Sequence, residues 1–201
     1  MARPDGDILD IITTRRSVRK YMQKNVPDEY IEKIMEAARW APSAVNGQPW
    51  RFVVVRDDET RKKIGEYARF YFLINRHVSE APVIIAVCLK DKSYRWAPLD
   101  CAMASQNVML EAHSLGLGSC FIGVFDENKI KELLGLPDKM GIVGLITLGY
   151  PDEKVDAPPR LELEEVVHYD AYRKDKSDAS GKTILPRSGM LSFVTKFLKG
   201  K

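Results

Sequence analysis

Histidine and cysteine are scarce in this chain of 201 residues, which has only three of each. The histidines are scattered at positions 77, 113 and 168, so the sequence has no arrangement typical of a Ser–His–Asp or Cys–His catalytic set. The cysteines are widely spaced at positions 88, 101 and 120, which argues against a disulfide framework and for reduced thiols. No CxxC or HxxxH pair is present, and we therefore expect no metal site.

Long hydrophobic runs are also missing. The apolar stretches near residues 82–89 and 142–148 are far too short to cross a bilayer, and residues 1–10 contain three acids but no apolar signal-peptide core. The net charge of +3 is too small to indicate nucleic-acid binding. These absences predict a cytoplasmic protein without a nucleic-acid partner. The length suits one domain with an extension.

The pattern of apolar residues and breakers predicts alternating helices and strands. Helices are predicted near residues 8–12, 27–41, 57–67, 96–115 and 126–134, and strands near 51–56, 81–89, 142–149 and 163–169. Residues 119–123 are predicted to form a short buried strand or a tight connector. Helix 96–115 is apolar on most sides, which places it in a core or at a subunit interface. His113, near its end, is interpreted as satisfied at the helix C-terminus rather than catalytic.

Three arginines and a serine lie within five residues after the first predicted helix, at Arg15, Arg16, Ser17 and Arg19. Guanidinium groups bind phosphate oxygens through paired hydrogen bonds, and a hydroxyl adds a further donor, so the segment can cradle a phosphate. Basic residues after a helix can equally complement the negative end of its dipole. The segment by itself leaves both interpretations open.

Two prolines bracket the stretch 42–50 and limit its flexibility. Between them, Ser43, Asn46 and Gln48 can donate and accept hydrogen bonds, and Gly47 permits a close backbone approach or a positive φ angle. Such a stretch can hold a flat, hydrogen-bonding ligand. It can also be an ordinary polar connector between a helix and a strand, and this second interpretation is favoured when the stretch is read alone.

The order of these motifs closely resembles the beginning of the nitroreductase family of flavoproteins. The resemblance is carried by Arg-Arg-Ser-Val-Arg, a helix, Pro-Ser-Ala-Val-Asn-Gly-Gln-Pro-Trp and a strand, in that order. The apolar helix that ends in Gly-Leu-Gly-Ser, the Ile122–Gly123 step and the late Pro-Arg are also similar to that family. The resemblance covers about residues 8–170.

The resemblance implies an α+β fold, with a central, mostly antiparallel β-sheet flanked by helices, and an intertwined homodimer with FMN at the subunit interface. Residues 1–170 would form the nitroreductase-like FMN-binding domain. Residues 171–201 would form a basic C-terminal extension, a linker followed by a short amphipathic helix near 190–198, that wraps the partner subunit. Membrane contact through this tail is the less favoured alternative.

The resemblance also implies which residues hold FMN. Arg15, Ser17 and Arg19 would hold the phosphate and ribityl chain, Arg16 would contribute through its backbone or a neighbouring contact, and Arg160 would be a second phosphate-binding cation. Some members have another cation two residues before the position of Arg160, where this chain has Pro158. The flavin would be approached, typically from the other subunit, by Pro42, Ser43, Ala44, Asn46 and Gln48. A backbone N–H of the Ile122–Gly123 stretch would face flavin N5.

By the same resemblance, the chain is expected to be an FMN-dependent NAD(P)H oxidoreductase. Flavin N5 would accept hydride from NADH or NADPH, and electrons would pass by ping-pong exchange to a planar acceptor such as a nitroaromatic compound or a quinone. No side chain is expected to act as a general acid or base. Two alternatives remain open, namely a specialised reaction such as reductive dehalogenation or flavin breakdown, and a non-catalytic flavin-binding protein.

Overall fold

A computed structural model describes the backbone of residues 7–70, 73–74 and 76–172, and the side chains within 7–68 and 77–172. The chain divides into two compact units, Met1–Ala157 and Pro158–Lys201. The domain boundary at residue 170 stays a prediction. The amphipathic helix predicted near 190–198 lies outside the described residues.

The first unit alternates helices with strands. Its helices are α1 (Ile8–Thr14), α2 (Asp28–Arg39), α3 (Asp58–Tyr67), α4 (Arg76–Glu80), α5 (Ala97–Ser114) and α6 (Glu127–Leu133). Its strands are β1 (Trp50–Val55), β2 (Arg69–Phe70), β3 (Leu73–Ile74), β4 (Val83–Leu89), β5 (Gly118–Ile122) and β6 (Gly141–Gly149). Every helix and strand predicted before residue 150 is confirmed to within two residues at each end, whereas β2, β3 and α4 were not predicted.

Local side chains explain where several helices begin and end. Asp57 and Asp126 cap α3 and α6, because their carboxylates accept hydrogen bonds from N–H groups in the first turn of each helix at 2.8 and 3.2 Å. After α5, Gly116 adopts a φ of 77°, a left-handed conformation that glycine takes without steric cost. The chain can therefore reverse within a few residues and enter β5.

Four strands form an antiparallel sheet in the order β1-β4-β6-β5, which confirms the expected α+β architecture. The central strand β4 is buried at every residue, so it carries side chains into both cores. Its residues Val83, Ile85 and Val87 pack with α2 and α5 on one face of the sheet, and Ile84 and Ala86 pack with α3 and α6 on the other. The result is a three-layer arrangement with helices on both sides.

All three cysteines are buried, and none is in a disulfide. Burial raises the pKa of Cys88 to about 11 and that of Cys101 to about 12, so both thiols stay protonated near neutral pH. Among the residues that the structure describes, no helix is long and apolar enough to cross a membrane. In the same part of the chain, no cluster of His, Cys, Asp and Glu has the size needed to hold a metal ion.

The segment 15–22 lies along the free edge of β5. Ser17 and Ser119 form a parallel bridge, and the Val18 N–H donates to the Ser119 carbonyl at 2.9 Å. The two backbones can approach this closely because Gly118 has no side chain, and a Cβ there would lie 2.7 Å from the Cβ of Val18. The fold thus fixes the arginine-rich segment against the edge of the sheet.

The second unit contains a short helix, α7 (Leu163–Val166), where the sequence predicted a strand at 163–169. The prediction of a strand is therefore wrong. Glu162 and Glu165 form a capping box, in which the Glu162 N–H donates to the Glu165 carboxylate at 2.9 Å. This local pair satisfies main-chain groups at the start of α7 and favours a helical turn over an extended chain.

Candidate functional site

A cavity of about 360 Å³ lies where α1 ends. It is lined by the end of α1 with the arginines that follow, by the last turn of α5, by the turn into β5 and by the segment after β6; these residues are Thr14, Arg15, Arg16, Val18, His113, Gly116, Leu117, Gly118, Ser119, Pro151, Glu153, Lys154 and Val155. A volume of this size is within the range of small-molecule sites in proteins.

The two arginines of the cavity wall fit different interpretations of the sequence. The Arg16 guanidinium donates to the carbonyl of Thr13 at 2.7 Å and to that of Arg15 at 2.8 Å, so it satisfies main-chain acceptors at the C-terminal end of α1. Arg16 therefore fits the helix-capping interpretation of the sequence. Arg15 is half-buried in the cavity wall, which is where the phosphate interpretation requires a cation.

Arg19 is exposed, and its backbone is held by a carboxylate that the sequence analysis did not single out. Glu153 Oε1 accepts hydrogen bonds from the N–H groups of Arg19 at 2.5 Å and Lys20 at 3.0 Å. Glu153 also lines the cavity, so one negative charge lies among the cations. Residues 19 and 153 are far apart in the chain, and no local pattern in the sequence links them.

A buried pair of hydroxyl groups connects the segment 15–22 to the sheet. The Tyr21 hydroxyl donates to the Val18 carbonyl at 2.5 Å and lies 2.8 Å from Oγ1 of Thr147 on β6. Tyr21 and Thr147 are buried, and this burial raises the pKa of Tyr21, so its hydroxyl stays protonated. The polar contact connects the arginine-rich segment to the centre of the sheet.

The loop 42–48 is anchored at the opposite end of α5 from the cavity. Asp100, in the first turn of α5, is buried, and its Oδ1 accepts a hydrogen bond from the Ala44 N–H at 3.2 Å. The Tyr94 hydroxyl donates to the Ala44 carbonyl at 3.0 Å. Both main-chain groups of Ala44 are therefore held by side chains of neighbouring elements.

The polar side chains that the sequence singled out in this loop contact one another. The Gln48 N–H donates to Oγ of Ser43 at 3.1 Å, and the Gln48 side-chain amide donates to Oδ1 of Asn46 at 3.2 Å. Pro42 is exposed at the start of the loop. Ser43, Asn46 and Gln48 thus form one local group, as a site for a hydrogen-bonding ligand requires.

The backbone of the loop is strained at three residues that are not glycine. Val45, Asn46 and Gln48 have φ angles of 48°, 55° and 43°, in a left-handed region that is costly for such residues and most of all for a β-branched valine. Gly47, which the sequence offered for a positive φ, has a φ of −70° instead. It serves the close approach, since a Cβ there would lie 3.1 Å from the Ala44 carbonyl oxygen. Strain of this kind is concentrated at functional sites.

The edge strand β5 leads from the cavity to Ile122 and Gly123. Ile122 lies three residues beyond Ser119, roughly 10 Å along the strand. Its side chain is buried, whereas Gly123 is exposed and a Cβ there would meet only the Phe121 ring, at 3.9 Å. Main-chain groups of alternate residues point to the same side of a strand. Because the Ser119 carbonyl faces the free edge of β5, the main-chain groups of Phe121 face it too, and Gly123 is the next residue in this alternation.

The structure gathers some of the predicted residues and separates others. Arg15, Arg16, Ser17 and Arg19 lie at or beside the cavity, next to the start of β5. The loop 42–48 lies away from this cavity within the same subunit. Asp100 contacts the loop and His113 contacts Thr14 at the cavity, and these two residues are about 20 Å apart along α5.

Arg160 belongs to the second unit, where its guanidinium donates to the carbonyls of Pro158 and Pro159 at 3.3 and 3.2 Å. It is exposed. A part for Arg160 in holding phosphate stays a prediction.

Comparison with known proteins establishes the family. The sequence profile of the Nitroreductase family matches residues 12–70 and 69–150, which together are more than half of the chain. A candidate NADH dehydrogenase/NAD(P)H nitroreductase of Methanothermobacter thermautotrophicus is 42% identical over 172 residues, which cover 79% of this chain and 87% of the relative. The chain therefore belongs to the nitroreductase family.

Two further relatives add a flavin reductase and a solved structure. An FMN reductase (NAD(P)H) of Bacillus subtilis is 30% identical over 190 residues, which cover 83% of this chain and 75% of the relative. The structure of an FMN-dependent nitroreductase from Clostridium difficile matches with a TM-score of 0.75 at 29% identity, over 82% of this chain and 99% of that one. This likeness confirms the nitroreductase-like fold.

Proposed function

We propose that this protein transfers electrons from NADH or NADPH to a planar acceptor, such as a nitroaromatic compound or a quinone, with FMN held between two subunits. Membership of the nitroreductase family makes it an FMN-dependent NAD(P)H oxidoreductase. The acceptor class and the shared site are the further parts of the proposal. The observation that carries the proposal of an FMN site in this chain is the cation-lined cavity at the start of the free edge of β5.

The residues of the site fit FMN. Three cations, Arg15, Arg16 and Lys154, line the cavity against one carboxylate, Glu153, so a phosphate finds a net positive environment there. The edge of β5 offers main-chain groups to a ring with polar atoms along one side. The strained loop 42–48 supplies neutral donors and acceptors, which suit a flat heterocycle.

Bound FMN would supply the capacity to accept a hydride equivalent and to release electrons to a second substrate, which no side chain of the site has. The protein would hold and orient this group. Arg15, Ser17 and Arg19 would hold the phosphate and ribityl chain, with Arg160 as a second phosphate-binding cation. Arg16 would act through its backbone and by supporting Arg15, because its guanidinium caps α1.

The main chain and the loop would bind the flavin ring. Gly123, with no side chain, would let its N–H approach the ring at the end of β5, and Ile122 would form the buried floor. A fixed N–H donor stabilises negative charge that develops next to it during electron transfer. From the other subunit the ring would be approached by Pro42, Ser43, Ala44, Asn46 and Gln48.

Two copies of the chain would form each site. The exposed stripe of α5 includes Leu99 and Met103, whose surfaces are 58% and 39% exposed, and the neighbouring helix α1 exposes Ile8 and Leu9 at 68% and 59%. Exposed apolar side chains on both helices would be covered where two copies pack together. If two copies pack about a twofold axis with their α5 helices antiparallel, the loop end of one α5 lies beside the cavity end of the other.

The test is FMN binding by the purified protein and by an Arg15→Ala/Arg19→Ala variant. The wild type should bind FMN stoichiometrically and quench its fluorescence. The variant should stay folded but bind FMN about 100-fold more weakly or worse, because each lost charge-assisted hydrogen bond contributes about 1.5 to 3 kcal/mol.

A Lys62→Ala/Lys63→Ala variant, which removes two exposed cations of α3, is the matched control and should bind like the wild type. Normal binding by the arginine variant would show that the phosphate site has been assigned to the wrong residues. A wild type that binds no FMN would contradict the proposed function as a whole.

A further inference from the structure

The cavity is lined by a titratable side chain that has no role in the phosphate site proposed above. His113, in the last turn of α5, lines the same cavity as Arg15 and Arg16 and is half-buried. Its Nε2 lies 2.8 Å from Oγ1 of Thr14, the last residue of α1. The sequence interpretation of His113, as a residue satisfied at a helix C-terminus, gave it no part in binding.

The hydrogen bonds of Thr14 determine which nitrogen of His113 carries a hydrogen. The Thr14 hydroxyl donates its one proton to the Asp10 carbonyl at 2.5 Å, so towards His113 its oxygen can only accept. Nε2 of His113 is therefore the donor and carries a hydrogen. Nδ1 is then the nitrogen that gains or loses the second proton when the imidazole titrates.

The charges around His113 oppose that second proton in the protein without a bound phosphate. Arg15 and Arg16 from the end of α1 and Lys154 from the segment after β6 face the same space, and Glu153 is the carboxylate that faces it. Burial first, and then Arg15 and Arg16, lower the pKa of His113. A phosphate monoester carries a charge of about −1.5 to −2, so its arrival would cancel most of this local excess of positive charge.

We propose that His113 is a further phosphate-binding residue, and that binding of a phosphate in this cavity is accompanied by uptake of a proton at Nδ1 of His113. The inference rests on the proposed function, since the phosphate is that of FMN. The contact with Thr14 holds the imidazole in place through Nε2, so the second proton adds a positioned cation to those of the arginine-rich segment.

The pH dependence follows from the direction of this coupling. Binding raises the pKa of His113, so the extra affinity is complete only below the pKa of His113 in the FMN-free protein. It declines above that pH and is lost once the pH has risen through the pKa in the complex. Below about pH 6 the phosphate itself gains a proton and loses charge, which weakens binding again. FMN affinity should therefore be highest in weakly acidic solution and about five- to tenfold lower at pH 8.5, since one unit of pKa change on binding corresponds to a factor of ten.

The experiment compares the full-length protein with a His113→Gln variant. FMN is titrated at several pH values by fluorescence, and calorimetry in buffers of different ionisation enthalpy counts the protons taken up near pH 7. Glutamine can still donate to Thr14 but cannot gain a proton. The variant should bind FMN at pH 6 about five- to tenfold more weakly than the wild type, lose the decline towards pH 8.5, and take up fewer protons.

Two controls separate His113 from the titration of the ligand and from general effects. Riboflavin, which lacks the phosphate, should show no difference in proton uptake between the two proteins. A His168→Gln variant, altered in the second unit, should behave like the wild type. A His113→Gln variant with the pH profile and proton count of the wild type would overturn the inference while leaving the proposed function intact.

Failure of the proposed function would be recognised separately, as a wild type that binds no FMN. In that case inorganic pyrophosphate serves as the probe. Pyrophosphate binding with a proton uptake that His113→Gln reduces would support the part played by His113, whereas absence of pyrophosphate binding, or equal uptake by both proteins, would overturn it.

Discussion

At the scale of single residues, Asp100 combines full burial with an incomplete set of partners. Its Oδ1 accepts from the Ala44 N–H, whereas Oδ2 has no hydrogen-bond partner among the described residues. A buried carboxylate oxygen without a donor is destabilising, and the position of Asp100 in the first turn of α5 offsets part of that penalty through the helix dipole. The residue therefore lowers stability in return for holding the loop 42–48.

Two substitutions at Asp100 separate the hydrogen bond from the charge. Asp100→Ala removes the acceptor for Ala44, so the loop should lose order and FMN affinity should fall about tenfold, the equivalent of one hydrogen bond. Asp100→Asn keeps an acceptor and removes the buried charge, so it should keep the affinity and be as stable as the wild type or about 1 kcal/mol more stable. FMN titration and urea denaturation measure the two quantities. If both variants bind equally weakly, the charge rather than the hydrogen bond matters.

At the scale of elements, the segment 15–22 depends on β5 and β6 for its shape. Glycines allow the contact, since a Cβ at Gly149 would lie 3.0 Å from the Tyr21 ring and one at Gly118 would overlap Val18. The Tyr21 hydroxyl then links the Val18 carbonyl to Thr147. The arginines are thus presented by a backbone that is held on one side by the sheet.

Tyr21→Phe tests this dependence. It removes both hydrogen bonds of the hydroxyl and leaves the Val18 carbonyl and Thr147 short of a partner, so stability should fall by about 1 to 3 kcal/mol. FMN affinity should fall more than riboflavin affinity, because the shifted backbone carries the phosphate-binding arginines. Urea denaturation and titration with both flavins provide the measurements. A Tyr30→Phe variant on α2 is the control, and equal losses for FMN and riboflavin would show that Tyr21 affects stability alone.

The elements with strong local patterns could be predicted from the sequence, and those that depend on weaker local signals could not. The long apolar helix α5 and the buried strand β4 follow directly from their composition. The helix α7 was mistaken for a strand because its capping pair, Glu162 and Glu165, is a local contact that apolar patterning does not report. The short hairpin of β2 and β3 was missed, since two-residue strands leave no periodicity.

Prediction of the site from the sequence was limited by the distance along the chain between residues that are in contact. Arg15, Ser17 and Arg19 are neighbours in sequence, so their grouping could be read directly. The contacts of Thr14 with His113 and of Tyr21 with Thr147 join residues 99 and 126 positions apart, and only the fold reveals them. The strain of the loop 42–48 was also hidden, because the sequence offers Gly47 for the left-handed conformation that its neighbours adopt.

At the scale of the whole molecule, α5 keeps the two halves of the proposed site apart within one chain. The loop 42–48 is anchored at its first turn and the cavity lies at its last, about 20 Å away. In the proposed dimer, each FMN would take its phosphate contacts from one subunit and its loop contacts from the other. A folded but monomeric chain should therefore bind FMN poorly.

The separation imposed by α5 means that damage to one half of the site can be compensated by a differently damaged second copy. Arg15→Ala/Arg19→Ala and Ser43→Ala/Asn46→Ala homodimers should each be inactive. A mixed dimer can be isolated through two different affinity tags. One of its sites has both altered halves and the other has both unaltered halves. The mixed dimer should therefore bind one FMN and have about half the wild-type activity. Mixed dimers without activity would indicate that one subunit supplies both halves. In a cell, alleles of the two kinds would complement each other, whereas two alleles of the same kind would not.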